Sequence, residues 1–521
     1  MPTLSRRRLL ASLASSCAVL SFTACSTTAP SGADPFTLGV ASGDPDATSV
    51  VLWTRLAPDP FRADGGMPPA RVRVQWEIAR DEGMRQIVAR GTVEAAPEEG
   101  HSLHIVAGGL EPGRVYWYRF ATDKAQSRVG RTRTMPASGT RTDRFTLAIG
   151  GCQRIEQGFF TGWAEIAKAD VDAVFHYGDY IYEYALQAAA ISHRLDRPVG
   201  HAALPLVQSL DQYRLRYALY KLDPDLAAAH AAHPFLASFD DHEIANDWAG
   251  DFPGSRAMGA ADFLKLRAAA FQAFYENSPL RPAHKPRGAS IKAYRAIEVG
   301  DLLRLAVLDT RQYRSPPACG KSATQTCDER YDEKRSMIGA EQERWLLDLF
   351  ARGDKPWTVL GNQVPMMQRL LRDPAHDMVD TDKWDGHVAA RDRLLEAAAA
   401  RKLSGLVAFT GDVHRAYVGE LKSDYRDSEA ATVGSEFVVS SMSSAGDGSQ
   451  DRATGNRLKS ANPHLRFYDA RRGFAIARFT PKRCETDYRA IDKVSVRSAA
   501  VRSIATFAVD PKRPGIADTS A

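Results

Sequence analysis

Residues 173–182 read AVFHYGDYIY, and this stretch decides the fold. A short apolar run, brief for a helix, ends in a glycine and then in residues that carry chemistry. The same plan recurs along the chain. FTLAIGGC (145–152), PFLASFDDHE (234–243), LLRLAVLDT (302–310), WTVLGNQ (357–363) and LSGLVAFTGDVH (403–414) are each an apolar strand closing on polar residues. Helical patterns lie between them at 205–229, 260–277, 341–352 and 386–401. Buried strands that alternate with helices and turn polar at their carboxyl ends are how α/β enzymes display a site. GSEFVVSSMSS (434–444) and GFAIARFT (473–480) add later strands to the same layered core. The Pro/Gly-rich tail from Asp510 is placed on the surface.

Upstream of Thr140 the grammar differs. SVVLWTRL (49–56), RVRVQWEIAR (71–80), HSLHIV (101–106), VYWYRFAT (115–122) and SRVGRTRTM (127–135) are short strands separated by turn signals. About six or seven strands at this spacing predict a small all-β sandwich, similar to an immunoglobulin or fibronectin-type module without its disulfide. The expected organisation is an export segment and linker over 1–35, the β-sandwich over 36–137, and a catalytic α/β domain over 143–521. A length of 521 residues fits two domains.

The N-terminus reads as a targeting signal. Ser5-Arg6-Arg7-Arg8-Leu9-Leu10 has the form recognised by the twin-arginine export machinery. The apolar stretch from Leu9 to Val19 is too short to span a bilayer. Phe22-Thr23-Ala24-Cys25 looks like a lipoprotein box, with Cys25 as the lipidated residue and tether to a membrane. The expected location is therefore the periplasm or the cell surface. Cys319 and Cys327 close a short polar loop and are expected to form a local disulfide in an oxidising compartment. Cys152 and Cys484 remain, either as a pair or with one acting as a ligand. The net charge of +5, three of it from Arg6, Arg7 and Arg8, argues against a large nucleic-acid face.

Five strand ends supply candidate metal ligands. They are Cys152; Asp179 with Tyr182; the cluster Asp240-Asp241-His242-Glu243; Asn362; and Asp412 with His414. Taken singly, a Gly-Asp is a turn and a strand-end Cys a small core residue. Their succession along one set of strands is what points to a common centre.

This series resembles the metallophosphoesterase block pattern, and in detail the PhoD-like alkaline phosphatase/phosphodiesterase family, which is related to the purple acid phosphatases. Cys152 stands where the purple enzymes have Asp, Asp241 where they have Asn, and Asn362 and Asp412 where they have His. Further similarity lies in SGDPDATSVVLWTR (42–55), LDTRQYR (308–314), EQERWL (341–346), DKWDGH (382–387) and NPHLRF (462–467). The resemblance implies a metallophosphoesterase β-sandwich flanked by helices. It also implies two metal sites that share Asp179. Cys152, Asp179, Tyr182 and His414 would hold Fe3+, since thiolate, phenolate and carboxylate stabilise a trivalent ion. Asp179, Asp241, Asn362 and Asp412 offer only oxygen, which suits Ca2+, or Mg2+ in its place. Activated water is the nucleophile this implies, with His242 beside the phosphate as leaving-group acid. Glu243 is read as an orienting group, and Asn246 and Asp247 as supports of the first ligands.

Candidates for binding the phosphate are Arg154, Asn246 and His464, with Arg311, Arg314, Arg415 and Asn462 as further options. Asp309 is expected to brace its loop by pairing with Arg311 and Arg314, His176 to be structural, and Trp384, which could stack on or cap the site, to be a packing residue. The expected activity is hydrolysis of phosphate monoesters or diesters of small molecules. Two alternatives stand beside it: a phospholipase D-like diesterase acting on phospholipids, and a non-enzymatic metal-binding surface lipoprotein.

Overall fold

The computed structural model describes residues 33–188, 190, 201–320, 323–325, 327–371 and 378–520. The signal, Cys25 and most of the linker lie outside the described residues.

Strand alternation explains the layering. In the strand Phe145–Gly150, Leu147 and Ile149 enter one core while Ala148 enters another. Val174 and Phe175 divide the same way in Ala173–His176. Side chains on successive residues point to opposite faces, so a strand buried on both sides is apolar throughout. The inner core joins Leu147, Ile149, Phe175 and Leu236 of one sheet to Leu305, Val307, Val359, Val407 and Phe409 of the second. The outer face of the first sheet packs on helices through Trp163, Ile166, Phe271 and Phe274. The outer face of the second meets Leu346, Leu349, Leu394 and Leu395. The result is a two-sheet sandwich with helices on both outsides.

Register lines up the strand ends. Phe145–Gly150, Ala173–His176 and Pro234–Ala237 run parallel, pairing Gly150 with His176 and His176 with Ala237. In the second sheet Leu303–Val307, Trp357–Gly361 and Leu406–Thr410 are also parallel, pairing Val307 with Gly361 and Gly361 with Phe409. The loops leaving these six carboxyl ends hold Cys152, Asp179, Asp241, Asp309, Asn362 and Asp412.

The N-terminal strands are all-β but only partly a module apart. Val72–Ala79, Ile87–Ala95, Val115–Ala121 and Gly130–Arg133 form their own antiparallel sheet. Val40–Gly43, Val50–Arg55 and Ser102–Ala107 instead extend the first catalytic sheet, through parallel pairing of Ser42 with Pro234 and Gly43 with Phe235. Gly43 makes this junction sterically feasible, since a Cβ there would sit 2.5 Å from the Phe235 and Pro279 carbonyl oxygens.

One local expectation changes. The helical pattern at 205–229 is two helices, Leu210–Lys221 and Pro224–Ala232. Pro224 lacks an N–H and restarts the helix, and Asp223 caps the Asp225 and Leu226 amides. The tail after Asp510, expected on the surface, forms an edge strand: Arg513–Ser520 turns back and pairs with Val501–Asp510 at the rim of the first sheet. No helix of the described residues is long and apolar enough to cross a membrane.

Candidate metal centre

The ligand candidates are held in strained backbone. Cys152 (φ 48°), Asp179 (φ 55°), Asp412 (φ 69°) and His414 (φ 54°) all occupy the left-handed region. This costs about 1 kcal/mol each or more for residues other than glycine, and such outliers concentrate at functional sites. The reason is a sharp turn directly after each strand, which throws the side chain across the sandwich rim. Gly151 permits the approach, because a Cβ there would collide with the Tyr177 ring.

Those turns bring distant residues together. Ligand atoms of Cys152, Asp179 and His414 lie within 4.8 Å of one another, as do those of Asp179, Asp241 and His242, and of Asp240, Asp241 and Asp412. Asp179 belongs to two of the three groups. The Tyr182 hydroxyl donates to Asp179 Oδ2 (2.8 Å) and lies 3.1 Å from His414 Nε2. Ser444 Oγ holds the same phenol at 2.6 Å and donates to the Cys152 carbonyl at 2.7 Å. Asn362 is buried at the end of its strand, with Nδ2 on the Val364 carbonyl and Oδ1 accepting from the Gln363 amide. One lone pair of that oxygen remains for a cation. Cys152 and Cys484 are both free and buried, so they do not pair.

The electrostatics favour a cation. Burial pushes the Cys152 thiol and the Tyr182 phenol up, and the carboxylates of Asp179 and its neighbours push them further. Burial and Asp179 raise Glu243 to about 8. Crowded thiol, phenol and carboxyl groups of this kind ionise together only beside a strong positive charge. The donor set therefore fits a metal pair: sulfur, phenolate and imidazole on one side of Asp179, oxygen alone on the other.

Supporting side chains fix these groups. Glu243 accepts from the amides of Asp179 (3.2 Å), Tyr180 (2.6 Å) and Asp240 (2.9 Å), so it shapes the ligand loop. Arg311 is fully buried and meets four carboxylates: Asp240 (2.5 Å), Asp382 (2.9 Å), Asp412 (3.2 Å) and Asp241 (3.7 Å). Lys383 bridges Asp382 (2.8 Å) and Asp412 (2.5 Å). Asp247 donates its amide to Asp241 Oδ2 at 2.9 Å. His242 stands over the Tyr182 ring, with Nδ1 2.9 Å from Glu183 Oε2. Burial works against its charged form, but Asp241, Asp179 and Glu183 outweigh it and raise the imidazole well above its usual range.

A cleft opens on this centre, lined among others by Asp179, Asp241, His242, Asn246, Asp412, His414, Arg369, Arg415 and Tyr417. Asn246 lines it while accepting from the Tyr184 hydroxyl (3.1 Å). Arg154 lies one ring away, over Tyr184 and paired with Glu156. His464, expected in the pocket, is turned to the Gln368 carbonyl (2.8 Å). Arg311 and Arg314 are spent on carboxylates and carbonyls, so neither is available to phosphate. Asp309 braces its loop through the Arg311 and Gln312 amides, not through arginine side chains. Trp384 packs in the outer core of the second sheet and does not cap the site. His176 stacks on Trp163 and is structural. Cys319 and Cys327 are joined in a disulfide, with Cα atoms 6.5 Å apart.

Three participants escaped the reading of the sequence. Glu183 sits beside Tyr182 in GDYIYE and was legible as the next residue of that block. Lys383 lies inside the DKWDGH stretch. Arg369 had no signal at all.

A model of the PhoD-like phosphatase family matches residues 147–488, and one of the PhoD-like phosphatase N-terminal domain matches 22–136. Alkaline phosphatase D of Bacillus subtilis (strain 168) is 39% identical over 486 residues, spanning 93% of this chain and 82% of that one. The solved structure of PhoD superposes with a TM-score of 0.88 at 38% identity, covering 94% of this chain and 93% of that one.

Proposed function

Since the chain belongs to the PhoD-like phosphatase family and is a phosphoesterase hydrolase of that type, we propose that it hydrolyses phosphate monoesters, diesters or both at the centre around Asp179. Cys152, Asp179, Tyr182 and His414 would hold Fe3+. Asp179, Asp241, Asn362 and Asp412 would hold Ca2+, or Mg2+. One observation carries the reading: Asp179 reaches a sulfur-, phenol- and imidazole-bearing group on one side and a carboxylate group on the other. When bound, such a pair supplies positive charge that lowers the pKa of water and offsets charge on phosphoryl oxygens.

The chain's own residues do the rest. Glu183 engages His242 Nδ1, which leaves Nε2 as the free nitrogen of a ring lining the cleft. With Glu183 held on Nδ1, His242 can carry a proton on Nε2 and pass it to a leaving alkoxide. Asn246, which lines the same cleft beside His242, would contact the phosphate, with Arg154 behind it.

Export is part of the proposal. The Arg6-Arg7-Arg8 signal supports passage through the twin-arginine machinery, and the Cys319–Cys327 disulfide suits an oxidising compartment such as the periplasm or cell surface. Cys25 would then anchor the protein to membrane.

The test is hydrolysis of p-nitrophenyl phosphate, bis(p-nitrophenyl) phosphate and phosphatidylcholine vesicles by the purified protein, with and without chelator. Cleavage that chelation abolishes and metal restores is the expected result. Preference for the vesicles would select the phospholipid reading. Inertness of metal-replete protein toward all three would end the proposal.

A further inference from the structure

Among the described residues, the cleft wall contains one guanidinium that faces Asp380, Asp385 and Asp412 without bonding to any of them. Arg369 is 5% exposed and lines the cleft beside Tyr417. Its guanidinium lies 5.0 Å from the Tyr417 ring centroid, within cation–π reach. Among the described residues it donates no side-chain hydrogen bond and forms no ion pair. Every other fully buried arginine of this region is committed, as Arg311, Arg314 and Arg391 are to Asp382 and Asp385.

The backbone that carries Arg369 is pinned at successive residues. Buried Glu436 accepts from the Met366 and Met367 amides, each at 2.7 Å. His464 meets the Gln368 carbonyl at 2.8 Å. Asp385 accepts from the Arg369 amide at 2.8 Å, while its other oxygen takes Arg391 at 2.7 Å. Asn462 clamps Leu370 from both sides, accepting from its amide (2.8 Å) and donating to its carbonyl (2.9 Å). Three buried polar side chains and the half-buried His464, from three separate parts of the chain, thus converge on residues 366–370. Burying that many polar groups is unfavourable unless each is bonded, and the outcome here is a rigid support for one free cationic fork.

We propose that Arg369 is a substrate-contacting residue, whose planar fork binds the non-bridging oxygens of the phosphate group at the metal centre, and that the 366–370 segment exists to hold it there. Asn462, His464 and Asp385 are then positioning residues that act through Arg369. The inference rests on the phosphoesterase reading above. Arginine is the residue suited to this task, because a guanidinium meets two phosphate oxygens at once where an ammonium meets one.

The experiment compares wild type, Arg369→Ala and Arg369→Lys in the metal-replete protein. Measured are kcat/KM for p-nitrophenyl phosphate, inhibition by orthophosphate, metal content per chain, and activity with added methylguanidinium. Arg369→Ala should lower kcat/KM by roughly 100-fold, the size of effect seen on removing one preorganised donor. It should weaken orthophosphate inhibition by at least about 10-fold at unchanged metal content, and methylguanidinium should restore part of the rate. Arg369→Lys should fall between, and it keeps the test open if the alanine variant does not fold. Orthophosphate inhibition and kcat/KM within about twofold of wild type in both variants would overturn the proposal. So would a loss accompanied by loss of metal and not rescued by methylguanidinium. Inertness of the wild type would fall on the phosphoesterase reading instead.

Discussion

His242 Nδ1 lies 2.9 Å from Glu183 Oε2, and the other Glu183 oxygen accepts from the Asn246 amide at 3.0 Å. One buried carboxylate therefore sets the tautomer and angle of the proposed acid and the backbone of a neighbouring cleft residue. Glu183→Gln keeps the shape and removes the charge. We expect kcat to fall about 10- to 100-fold with little change in KM, as for other groups that orient a first contact. Glu183 is one of the charges raising His242, so its loss lets the imidazole give up its proton sooner. The alkaline limb of the kcat profile should move to lower pH. A pH–rate series of both proteins decides it, and superimposable alkaline limbs would remove His242 from the role of acid.

Tyr182 and Cys152 share one candidate ion but would mark it differently. A phenolate on ferric iron gives a visible charge-transfer band, which should be absent from Tyr182→Phe. Cys152→Ser should retain a shifted band and bind iron about 10- to 100-fold more weakly, because an alcohol replaces an anionic sulfur donor. Visible absorption with metal analysis of the two variants is the check. A colourless, zinc-loaded, active wild type would reject iron and leave the hydrolase standing.

The strands and their chemical ends were legible because both signals are local. FTLAIGGC and LSGLVAFTGDVH each state a buried strand and a turn within about a dozen residues. What escaped was long-range. The pairing of Gly43 with Phe235 joins residues whose local patterns contain nothing about one another, so a strand of the N-terminal region read as part of a separate sandwich. Asp309 was expected to pair with Arg311, its neighbour in sequence. The guanidinium turns to Asp240, Asp382 and Asp412 instead, each about 70 to 100 positions away. His464 was read as a pocket residue from the motif around it, and it turns to the Gln368 carbonyl instead.

Lys221 makes stability depend on pH. Its ammonium is buried at a helix end, 4.0 Å from the Trp53 ring centroid and 3.4 Å from the Tyr180 hydroxyl, and burial with Arg55 nearby lowers it to about 7. The folded value lies below the unfolded 10.5, so between those limits the unfolded chain binds more protons. Stability contributed by this group therefore rises with pH from about 7 to 10.5 and is lowest below 7. Lys221→Met should flatten that rise and gain about 2 kcal/mol over wild type at pH 6, with the gain fading by pH 10. Urea melts across that range test it; parallel curves for the two proteins would show that the lysine does not titrate there.

Asn462 offers a test of the Arg369 support that leaves the guanidinium in place. Its side chain bonds Leu370 twice and the Leu458 carbonyl once, at 2.8 to 2.9 Å, from inside the protein and away from the cleft. Asn462→Leu removes all three bonds while keeping the volume, and leaves the Leu370 amide and carbonyl without their partner. A buried group left unpaired costs about 1–3 kcal/mol, so the melting temperature should drop by a few degrees. A purely structural role would end there. If the clamp serves Arg369, KM for a phosphate ester and the orthophosphate inhibition constant should rise together by about 10-fold, while metal content holds. Combining the variant with Arg369→Ala should then add little beyond the alanine change alone, since residues acting through one group are not additive. Full additivity in that double-mutant cycle would separate the two residues and leave Asn462 as a packing element of the 366–370 segment.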